Sequence, residues 1–427
     1  MADNAFDVRG QGDPASVSPG ATLLRWPLTP GHTDSLKVDL GWWAGSLGTV
    51  PDPALDLLRI AGAAYAADRL TPRGTGFTRT ISLTVAVTDT QRWENGVADD
   101  VADLLRWLTG DRWLLSLVPD QERIDEDVLN TESDEEAVSL LSGGLDSFLG
   151  AIHLQARGSM VRFVGHIDSA TAVSFHQDKV QAWLGRAYNP APAYTRFHLN
   201  QQGKKQEGSS RSRSLMFMAM GIAVASSQNS EANTLYVPEN GYTSLNIPLH
   251  ANRAGALSTR STHPETFARM HRLLGLLGLA VSISNPFEWM TKGEAMTAVA
   301  ATTPPDGWID AAAQTISCSK LDSRTFKGGN QNLNCGYCLA CLVRRATFLS
   351  AGITDKTIYL PDTLTAGNKA KLIAKRRGDI DAVRYAIEVG VDDDAIDSST
   401  WPDDYDLDAA SDLVQRGLDE LAALPLP

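Results

Sequence analysis

Cysteine is scarce in this sequence, and all of it lies in one short segment. The chain has 427 residues but only four cysteines, which fall between Cys318 and Cys341. So few cysteines exclude a disulfide-rich scaffold of the kind that stabilises small secreted domains. At 427 residues the chain is long enough to bury more than one hydrophobic core without such crosslinks.

Long apolar runs are missing as well. No stretch of about eighteen apolar residues suggests a membrane span. Residues 1–20 are polar and rich in glycine, proline and aspartate, and they lack the basic start and the apolar stretch of a secretory signal. We therefore expect a cytoplasmic protein without a membrane partner, whose residues 1–20 form a flexible arm.

The chain is also short of positive charge. Its 38 lysines and arginines against 51 aspartates and glutamates give a formal net charge of −13. This balance opposes broad attraction to nucleic acid, so no bulk nucleic-acid binding is expected. The acidic residues concentrate in residues 125–136 and 392–419, and both stretches are predicted to be solvated linker or surface.

The first part of the chain reads as a separate segment. Within residues 21–120, helical periodicity over 54–70 and 97–109 and β-branched alternation over 79–87 predict a small α+β domain. Nothing in it clusters like metal ligands or paired catalytic carboxylates, so we expect a packing or partner-docking role. Residues 121–136 are predicted to form an acidic linker that follows it.

Short apolar strands alternate with amphipathic helices from residue 137 to residue 353. Such alternation predicts a parallel sheet with helices on both faces, and ligands then bind beyond the carboxyl ends of the strands. Residues 354–427 return to helical periodicity, interrupted by glycine, aspartate and proline. They are predicted to be a C-terminal helical region.

A glycine-containing turn connects the first strand of this alternating segment to the next helix, and it reads Ser142-Gly143-Gly144-Leu145-Asp146-Ser147. The two glycines let the backbone turn tightly and approach a ligand, while the hydroxyl groups and the helix-opening amides can donate to phosphate oxygens. The lysine of a Walker loop is absent at the required spacing. Asp146 is a poor phosphate ligand by charge, but it suits Mg²⁺. The alternative is a plain strand-to-helix turn capped by aspartate and serine.

The four cysteines have the spacing of a metal site. Cys335, Cys338 and Cys341 form a Cys-X-X-Cys-X-X-Cys run, and Cys318 precedes it. Four clustered thiols in a cytoplasmic protein favour tetrahedral Zn²⁺ bound by thiolates. Because no coordination position would stay open, this metal is expected to be structural. An iron–sulfur cluster and a redox Cys-X-X-Cys pair are the alternatives.

These motifs together resemble those of a known enzyme family. The loop resembles that of the N-type ATP-pyrophosphatases, and the cysteine segment followed by Arg344 resembles the C-terminal end of the 7-cyano-7-deazaguanine synthase (QueC) family. Further matching landmarks are Arg213-Ser214-Leu215, His263-Pro264-Glu265, Asn285-Pro286-Phe287 and Thr291-Lys292-Gly293-Glu294. The resemblance covers about Glu136 to Gly352. It implies an α/β, Rossmann-like core of the adenine nucleotide alpha hydrolase type, with ATP, Mg²⁺ and Zn²⁺ as cofactors.

The resemblance also implies roles for individual residues. The pyrophosphate of ATP would be bound by the loop residues Ser142, Gly143, Gly144, Leu145, Asp146 and Ser147. Asp146, Arg213 and Lys292 would be the catalytic residues. Glu239 and Asn240, which follow a predicted strand, are candidates for the substrate side by position.

The sequence departs from the family in three places. Ser214 replaces the family's asparagine, and the family's substrate segment is not recognisable between Glu239 and Thr262. The spacer between Cys318 and Cys335 has sixteen residues, which is longer than usual. These departures affect the identity of the substrate more than the chemistry of ATP.

One stretch of the alternating segment has two readings. Lys204, Lys205 and Arg211 lie in a glycine- and serine-rich stretch before a predicted helix. It reads equally as a lid over phosphates or as a disordered loop.

The full layout most resembles the QatC component of the Qat antiphage defence system, a QueC-like protein with an added N-terminal domain. By that resemblance, ATP would adenylylate a 7-carboxy-7-deazaguanine-type carboxylate and release pyrophosphate. Ammonia would then give an amide and a nitrile, or an amine on a partner protein of a defence operon would be acylated. The alternatives are an ordinary 7-cyano-7-deazaguanine synthase of queuosine biosynthesis and a catalytically silent module that binds a nucleotide or a partner.

Overall fold

Two β-sheets organise the chain. The computed structural model describes residues 4–10, 12–13, 17–26, 36–39, 50–120, 135–167, 171–201, 207–208, 211–227, 233–250, 257 and 259–427. Within these residues the strands are β1 (Ala5–Gly10), β2 (Thr22–Trp26), β3 (Leu36–Asp39), β4 (Thr80–Val87), β5 (Arg112–Pro119), β6 (Ala137–Leu140), β7 (Val161–His166), β8 (Tyr194–Gln201), β9 (Asn233–Tyr236) and β10 (Val281–Ser284). The first sheet has the order β2-β1-β4-β5, and the second has the order β10-β9-β6-β7-β8-β3.

Helices connect and cover these strands. They are α1 (Asp52–Leu70), α2 (Val97–Thr109), α3 (Leu145–Ala156), α4 (Thr171–Ala187), α5 (Arg213–Ser226), α6 (Gly241–Ser244), α7 (Pro264–Leu276), α8 (Lys292–Ala301), α9 (Trp308–Ala313), α10 (Leu339–Ser350), α11 (Leu360–Thr363), α12 (Ala366–Lys375), α13 (Arg377–Val389), α14 (Asp393–Asp397) and α15 (Leu407–Ala422). Among the described residues, no helix combines the length and the apolar character that crossing a membrane requires.

The second sheet confirms the parallel, Rossmann-like arrangement predicted from residue 137 onward. Its strands β6 to β10 run parallel, and only β3 pairs antiparallel, with β8 at the edge. From the central strand β6 the chain steps to β7 and β8 on one side and later to β9 and β10 on the other. Such a reversal opens a crevice beyond the carboxyl ends of the two neighbouring strands, which are β6 and β9 here.

The first sheet corrects two expectations. All four of its strands run parallel, with α1 before β4 and α2 before β5, so this segment is α/β and not α+β. Residues 5–10, which the sequence assigns to a flexible arm, form an inner strand between β2 and β4. Phe6 and Val8 are buried in the core, while Asp7 and Arg9 bind each other at 2.5 Å. This internal ion pair explains why a buried strand has a polar composition.

A continuous hydrophobic core lies between the two sheets. Helices α1 and α2 pack on the first sheet, α5 and α7 pack on the second, and α1 contacts α5 while α2 contacts α7. Helix α1 is rich in alanine and buried along almost its whole length. Gly62 allows a close approach in this layer, because a Cβ there would lie 2.7 Å from the Trp26 ring. The N-terminal segment therefore shares its core with the second sheet.

Helices α12 to α15 pack against the cysteine-containing segment. Leu372, Val383, Leu413 and Leu418 belong to the same buried cluster as the four cysteines. The sequence predicts a solvated surface for residues 392–419, but α15 buries one of its faces because its carboxylates alternate with leucines at helical spacing. The predicted acidic linker falls on residues 121–134, which lie outside the described residues, and on the two glutamates that follow them.

A buried carboxylate joins the helices of the two sheets. Asp68, near the end of α1, accepts hydrogen bonds from the backbone amides of Arg211 at 2.9 Å and Ser212 at 3.1 Å, just before α5. The other carboxylate oxygen binds Arg79 Nη2 at 2.5 Å. Arg79 in turn binds Asp111 at 2.6 Å. Side chains of the N-terminal segment therefore hold the start of α5.

We predict that Asp68→Asn lowers the free energy of unfolding by about 3–5 kcal/mol, because it leaves the buried Arg79 guanidinium with an incomplete partner. Urea-induced unfolding followed by circular dichroism measures this change. The matched control is Asp89→Asn, which removes an exposed ion pair with Arg92 of 3.2 Å. This control should cost less than about 1 kcal/mol. Equal losses in the two variants would contradict the bridging role of Asp68.

Candidate phosphate and metal sites

The glycine-containing loop follows β6 and opens α3. Gly143 has a φ of +84°, and a Cβ there would lie 3.1 Å from the Gln177 side chain, so the turn requires glycine. Ser142 Oγ and Ser147 Oγ lie 3.1 Å apart, and Ser142 Oγ accepts the Gly144 amide at 3.3 Å. The amides that open α3 lack helical carbonyl partners. Ser147 Oγ donates to the Gly144 carbonyl at 3.1 Å, whereas Ser142 is exposed. The loop can therefore offer the helix-opening amides and the Ser142 hydroxyl as donors, as a phosphate site requires.

Three segments meet beside this loop in one charged cluster. Asp146 on α3 binds Lys292 Nζ at 2.6 Å through Oδ2. Its Oδ1 accepts the backbone amide of Asn240 at 3.2 Å and the Asn240 side-chain amide at 3.0 Å. Asn240 follows β9, and Lys292 begins α8 after β10. The fold thus brings together two of the three predicted catalytic residues.

Glu239 is the second acid of the cluster. Its Oε1 accepts Asn240 Nδ2 at 2.8 Å and Thr243 Oγ1 at 3.0 Å. Burial and then repulsion from Asp146 raise the pKa of Glu239 to about 8, so its carboxyl group keeps a proton near neutral pH. Burial alone would lower the pKa of Lys292, but the attraction of Asp146 and Glu239 outweighs it and raises that pKa. The lysine therefore stays charged although it is buried.

The start of α8, which carries Lys292, is fixed from two sides. Thr291 Oγ1 accepts the Glu294 amide at 3.1 Å, and Glu294 accepts the Thr291 amide at 2.8 Å, which makes a capping box. Glu420 of α15 accepts the Gly293 amide at 3.2 Å and also contacts Thr291 Oγ1. Lys292 therefore extends from a braced helix start.

The other predicted basic residues are placed differently. Arg213 is exposed at the start of α5, and its guanidinium lies over the Phe217 ring, 5.5 Å from the ring centre. Lys204 and Lys205 lie outside the described residues. Arg211 donates to a backbone carbonyl of α2 at 2.9 Å, and its own amide binds Asp68. Arg211 is therefore anchored to the N-terminal segment through both its guanidinium and its backbone amide.

The four cysteines form one buried cluster. The Sγ atoms of Cys318, Cys335, Cys338 and Cys341 all lie within 4.8 Å of one another. The Cys318–Cys338 and Cys335–Cys341 sulfur pairs are each 3.9 Å apart. Tetrahedral zinc with Zn–S bonds of about 2.3 Å places its sulfurs about 3.8 Å apart, whereas a disulfide needs about 2.05 Å. The donor set and spacing fit a single four-coordinate ion.

The cysteine segment is tied to the glycine-containing loop. The Ile316 amide donates to the Gly143 carbonyl at 3.0 Å. The next two backbone amides, of Ser317 and Cys318, donate to Asn334 Oδ1 at 2.9 Å and 3.1 Å. A metal bound by the cysteines would therefore also fix the backbone that supports the loop.

Sequence analysis did not identify several contacts that shape these sites. Glu420 caps α8 and Arg416 binds Glu294, yet their sequence pattern indicates only an amphipathic helix. Asn285 Nδ2 donates to the Glu239 carbonyl at 2.7 Å and so joins the ends of β9 and β10. Asn285 does lie in one of the family landmarks, which was the available signal for it. No local signal marks Glu420.

These features define an α/β protein with a phosphate-type loop at the switch point of a parallel sheet and a buried four-cysteine cluster. The chain is similar to the 7-cyano-7-deazaguanine synthase of Acinetobacter baylyi, with 25% identity over 242 residues. The match covers 53% of this chain and 95% of that synthase. No protein-family profile and no solved structure matches the chain. The similarity supports the QueC-like resemblance of the sequence motifs.

We predict that the purified protein contains about one zinc per chain and that Cys338→Ser loses it, because three thiolates leave the site open. The unfolding free energy should fall by several kcal/mol, since structural zinc contributes to folding. Metal analysis by mass spectrometry together with thermal unfolding tests both effects. Ser319→Ala, in the same segment, is the control and should retain the metal. Iron in place of zinc, or metal-free protein of unchanged stability, would count against the assignment.

We also predict that Glu239→Gln changes how stability depends on pH. The folded protein holds the Glu239 proton up to about pH 8, whereas an unfolded glutamate releases it near about pH 4.3. Because the unfolded chain binds fewer protons between these values, stability falls as pH rises through this window. Relative to the wild type, Glu239→Gln should gain about 3–4 kcal/mol between about pH 5 and about pH 8. Urea unfolding of both proteins at the two pH values measures this change. An equal difference in unfolding free energy between variant and wild type at both pH values would refute the prediction.

Proposed function

We propose that this protein uses ATP to adenylylate the carboxylate of a 7-carboxy-7-deazaguanine-type molecule, with release of pyrophosphate. The observation that carries the proposal is the position of the Ser142–Ser147 loop beside the Asp146–Lys292 pair, at the crevice beyond β6 and β9. The similarity to a 7-cyano-7-deazaguanine synthase over 95% of that protein supports the substrate class.

In this proposal the loop binds the phosphates and Lys292 stabilises the charge that develops as pyrophosphate leaves. The amides that open α3 and the Ser142 hydroxyl donate to phosphate oxygens, and the Ser147 hydroxyl would join them by releasing the Gly144 carbonyl. Lys292 is already charged and braced, so little reorganisation is needed for it to act. Arg213 would be a second cation, which would have to turn from Phe217 toward the phosphates.

Mg²⁺ fits the acidic side of the cluster. Asn240 Nδ2 lies 3.0 Å from Asp146 Oδ1 and 2.8 Å from Glu239 Oε1, so the two carboxyl groups lie close together. Mg²⁺ is usually held by one or two carboxylates together with substrate phosphates. Asp146 would hold the ion, and Glu239 would join it on losing its proton; the ion supplies positive charge to the phosphates. Lys292 would then exchange Asp146 for a phosphate oxygen.

Two acceptors are compatible with the adenylylated carboxylate. Ammonia would displace AMP to give an amide, and adenylylation of the amide oxygen followed by loss of AMP would give a nitrile. Alternatively, an amine of a partner protein would displace AMP and form an amide-linked conjugate, as in a Qat-like antiphage system. A match that covers 53% of the chain leaves a large part without a counterpart in the synthase, which favours a partner.

We predict that Lys292→Met and Asp146→Asn lower pyrophosphate release by about 100-fold or more, because both remove charge preorganised at the reacting phosphates. The assay contains ATP, Mg²⁺ and 7-carboxy-7-deazaguanine, with and without ammonium or a candidate partner protein. Lys356→Met, which removes an exposed ion pair of 2.8 Å with Asp310, is the control and should release pyrophosphate normally.

The products distinguish the remaining alternatives. A partner whose mass increases by the deazaguanine acyl group supports conjugation in defence. A nitrile formed from ammonium, with no change in partner mass, supports the ordinary queuosine-pathway synthase. If no condition releases pyrophosphate, the adenylylation proposal fails and a silent binding module replaces it.

A further inference from the structure

A second cavity lies apart from the glycine-containing loop. Its volume is about 410 Å³, and it lies between the segment that follows α6, the start of α7 and helices α13 and α14. Trp107 of α2 also lines it, so the N-terminal segment, the second-sheet region and the tail all contribute. Among the described residues, its lining includes none of the Ser142–Ser147 loop and neither Glu239 nor Lys292.

Arg260 brings a positive charge to this cavity, and its guanidinium lies over the Trp107 ring, 4.1 Å from the ring centre. The lining also includes the exposed carboxylate of Asp392. Arg260 Nη1 donates to the Trp107 carbonyl at 3.0 Å. No ion pair within the described part of the chain involves Arg260. Partial burial and then repulsion from Arg211 and Arg269 lower the pKa of Arg260, as expected for a half-buried cation without an ion pair. An anionic ligand would supply the missing partner.

His263 brings an unused hydrogen-bond donor. The residue lines the cavity and is only 2% exposed. Its Nδ1 accepts the Glu265 amide at 3.1 Å, so the proton of the neutral ring lies on Nε2, which donates to no described residue. Burial lowers the pKa of His263 to about 3 and keeps the ring neutral. Nε2 therefore remains available to donate to an acceptor on a ligand in the cavity.

Aromatic rings surround these two donors. The Trp107 ring lies 5.4 Å from the His263 ring, and Trp401 stacks on His263 at 4.9 Å, which fixes its orientation. His250 and Tyr385, also in the lining, meet edge to face at 4.6 Å. A volume of about 410 Å³ lies within the range of small-molecule sites. Aromatic walls of this kind suit a planar ring.

We propose that this cavity binds a planar aromatic anion, with its ring against the aromatic walls and its anionic group on Arg260 and His263 Nε2. Two sources share this chemistry: a heteroaromatic carboxylate such as 7-carboxy-7-deazaguanine, and an adenine nucleotide such as AMP. The choice of the first probe rests on the proposed function. The cavity itself is argued only from the contacts of its own residues.

Isothermal titration calorimetry with 7-carboxy-7-deazaguanine and, separately, with AMP tests the proposal on the full chain. Arg260→Gln removes the cation, and Ala395→Leu narrows the cavity from α14 without touching Arg260. Each variant should weaken the binding of one probe at least about tenfold, because Arg260→Gln removes the charged partner and Ala395→Leu removes space for the ring. Arg269→Gln is the matched control, because Arg269 lies over the same Trp107 ring but pairs with Glu265 at 2.6 Å and is outside the lining.

The outcomes separate this site from the adenylylation chemistry. Loss of carboxylate binding in both cavity variants assigns the site to a substrate-type molecule, and loss of AMP binding assigns it to a nucleotide. Asp146→Asn, which should stop pyrophosphate release, should keep the affinity of the cavity, so either proposal can fail alone. Binding of neither probe, or binding that both cavity variants leave unchanged, overturns the inference.

Discussion

The buried ion pair between Asp146 and Lys292 is the constraint on which the crevice depends. Removing two charges from water is costly, and only accurate geometry and further hydrogen bonds repay that cost. The structure supplies both, because Asn240 completes the carboxylate and the capping box of α8 aims the lysine. The carbonyl of Gly143 is held by Ile316 in addition, so the loop cannot shift relative to the cysteine cluster without breaking a backbone hydrogen bond.

The first sheet is packed against the helices that cover the second sheet. Its helices α1 and α2 pack directly on α5 and α7, and Asp68 anchors the backbone just before Arg213. The N-terminal segment therefore sets the position of α5 in addition to presenting its own outer surface. Because Trp107 of α2 also lines the second cavity, a shift of α2 would reach both α7 and that cavity.

The strands and helices after residue 137 follow from the sequence because their hydrophobic periodicity is strong and local. The cysteine cluster follows too, since three of its cysteines repeat every third position. The features that periodicity missed depend on contacts between distant residues. The Asp7–Arg9 pair gives the buried strand β1 a polar sequence. Strand β3 precedes residue 137 but pairs with β8 of the second sheet, and Glu420 binds the start of α8 from α15. Such contacts leave no local pattern.

The brace that Glu420 provides has a consequence for how the protein is made. Glu420 and the Gly293 amide that it binds are 127 positions apart in the chain. A ribosome adds about 5–20 residues per second, so Lys292 is synthesised roughly 6–25 s before Glu420. During that interval β6, β9 and β10 can already pair, while the lysine sits on a helix start that lacks half of its support. The crevice is therefore completed only after α15 has been synthesised.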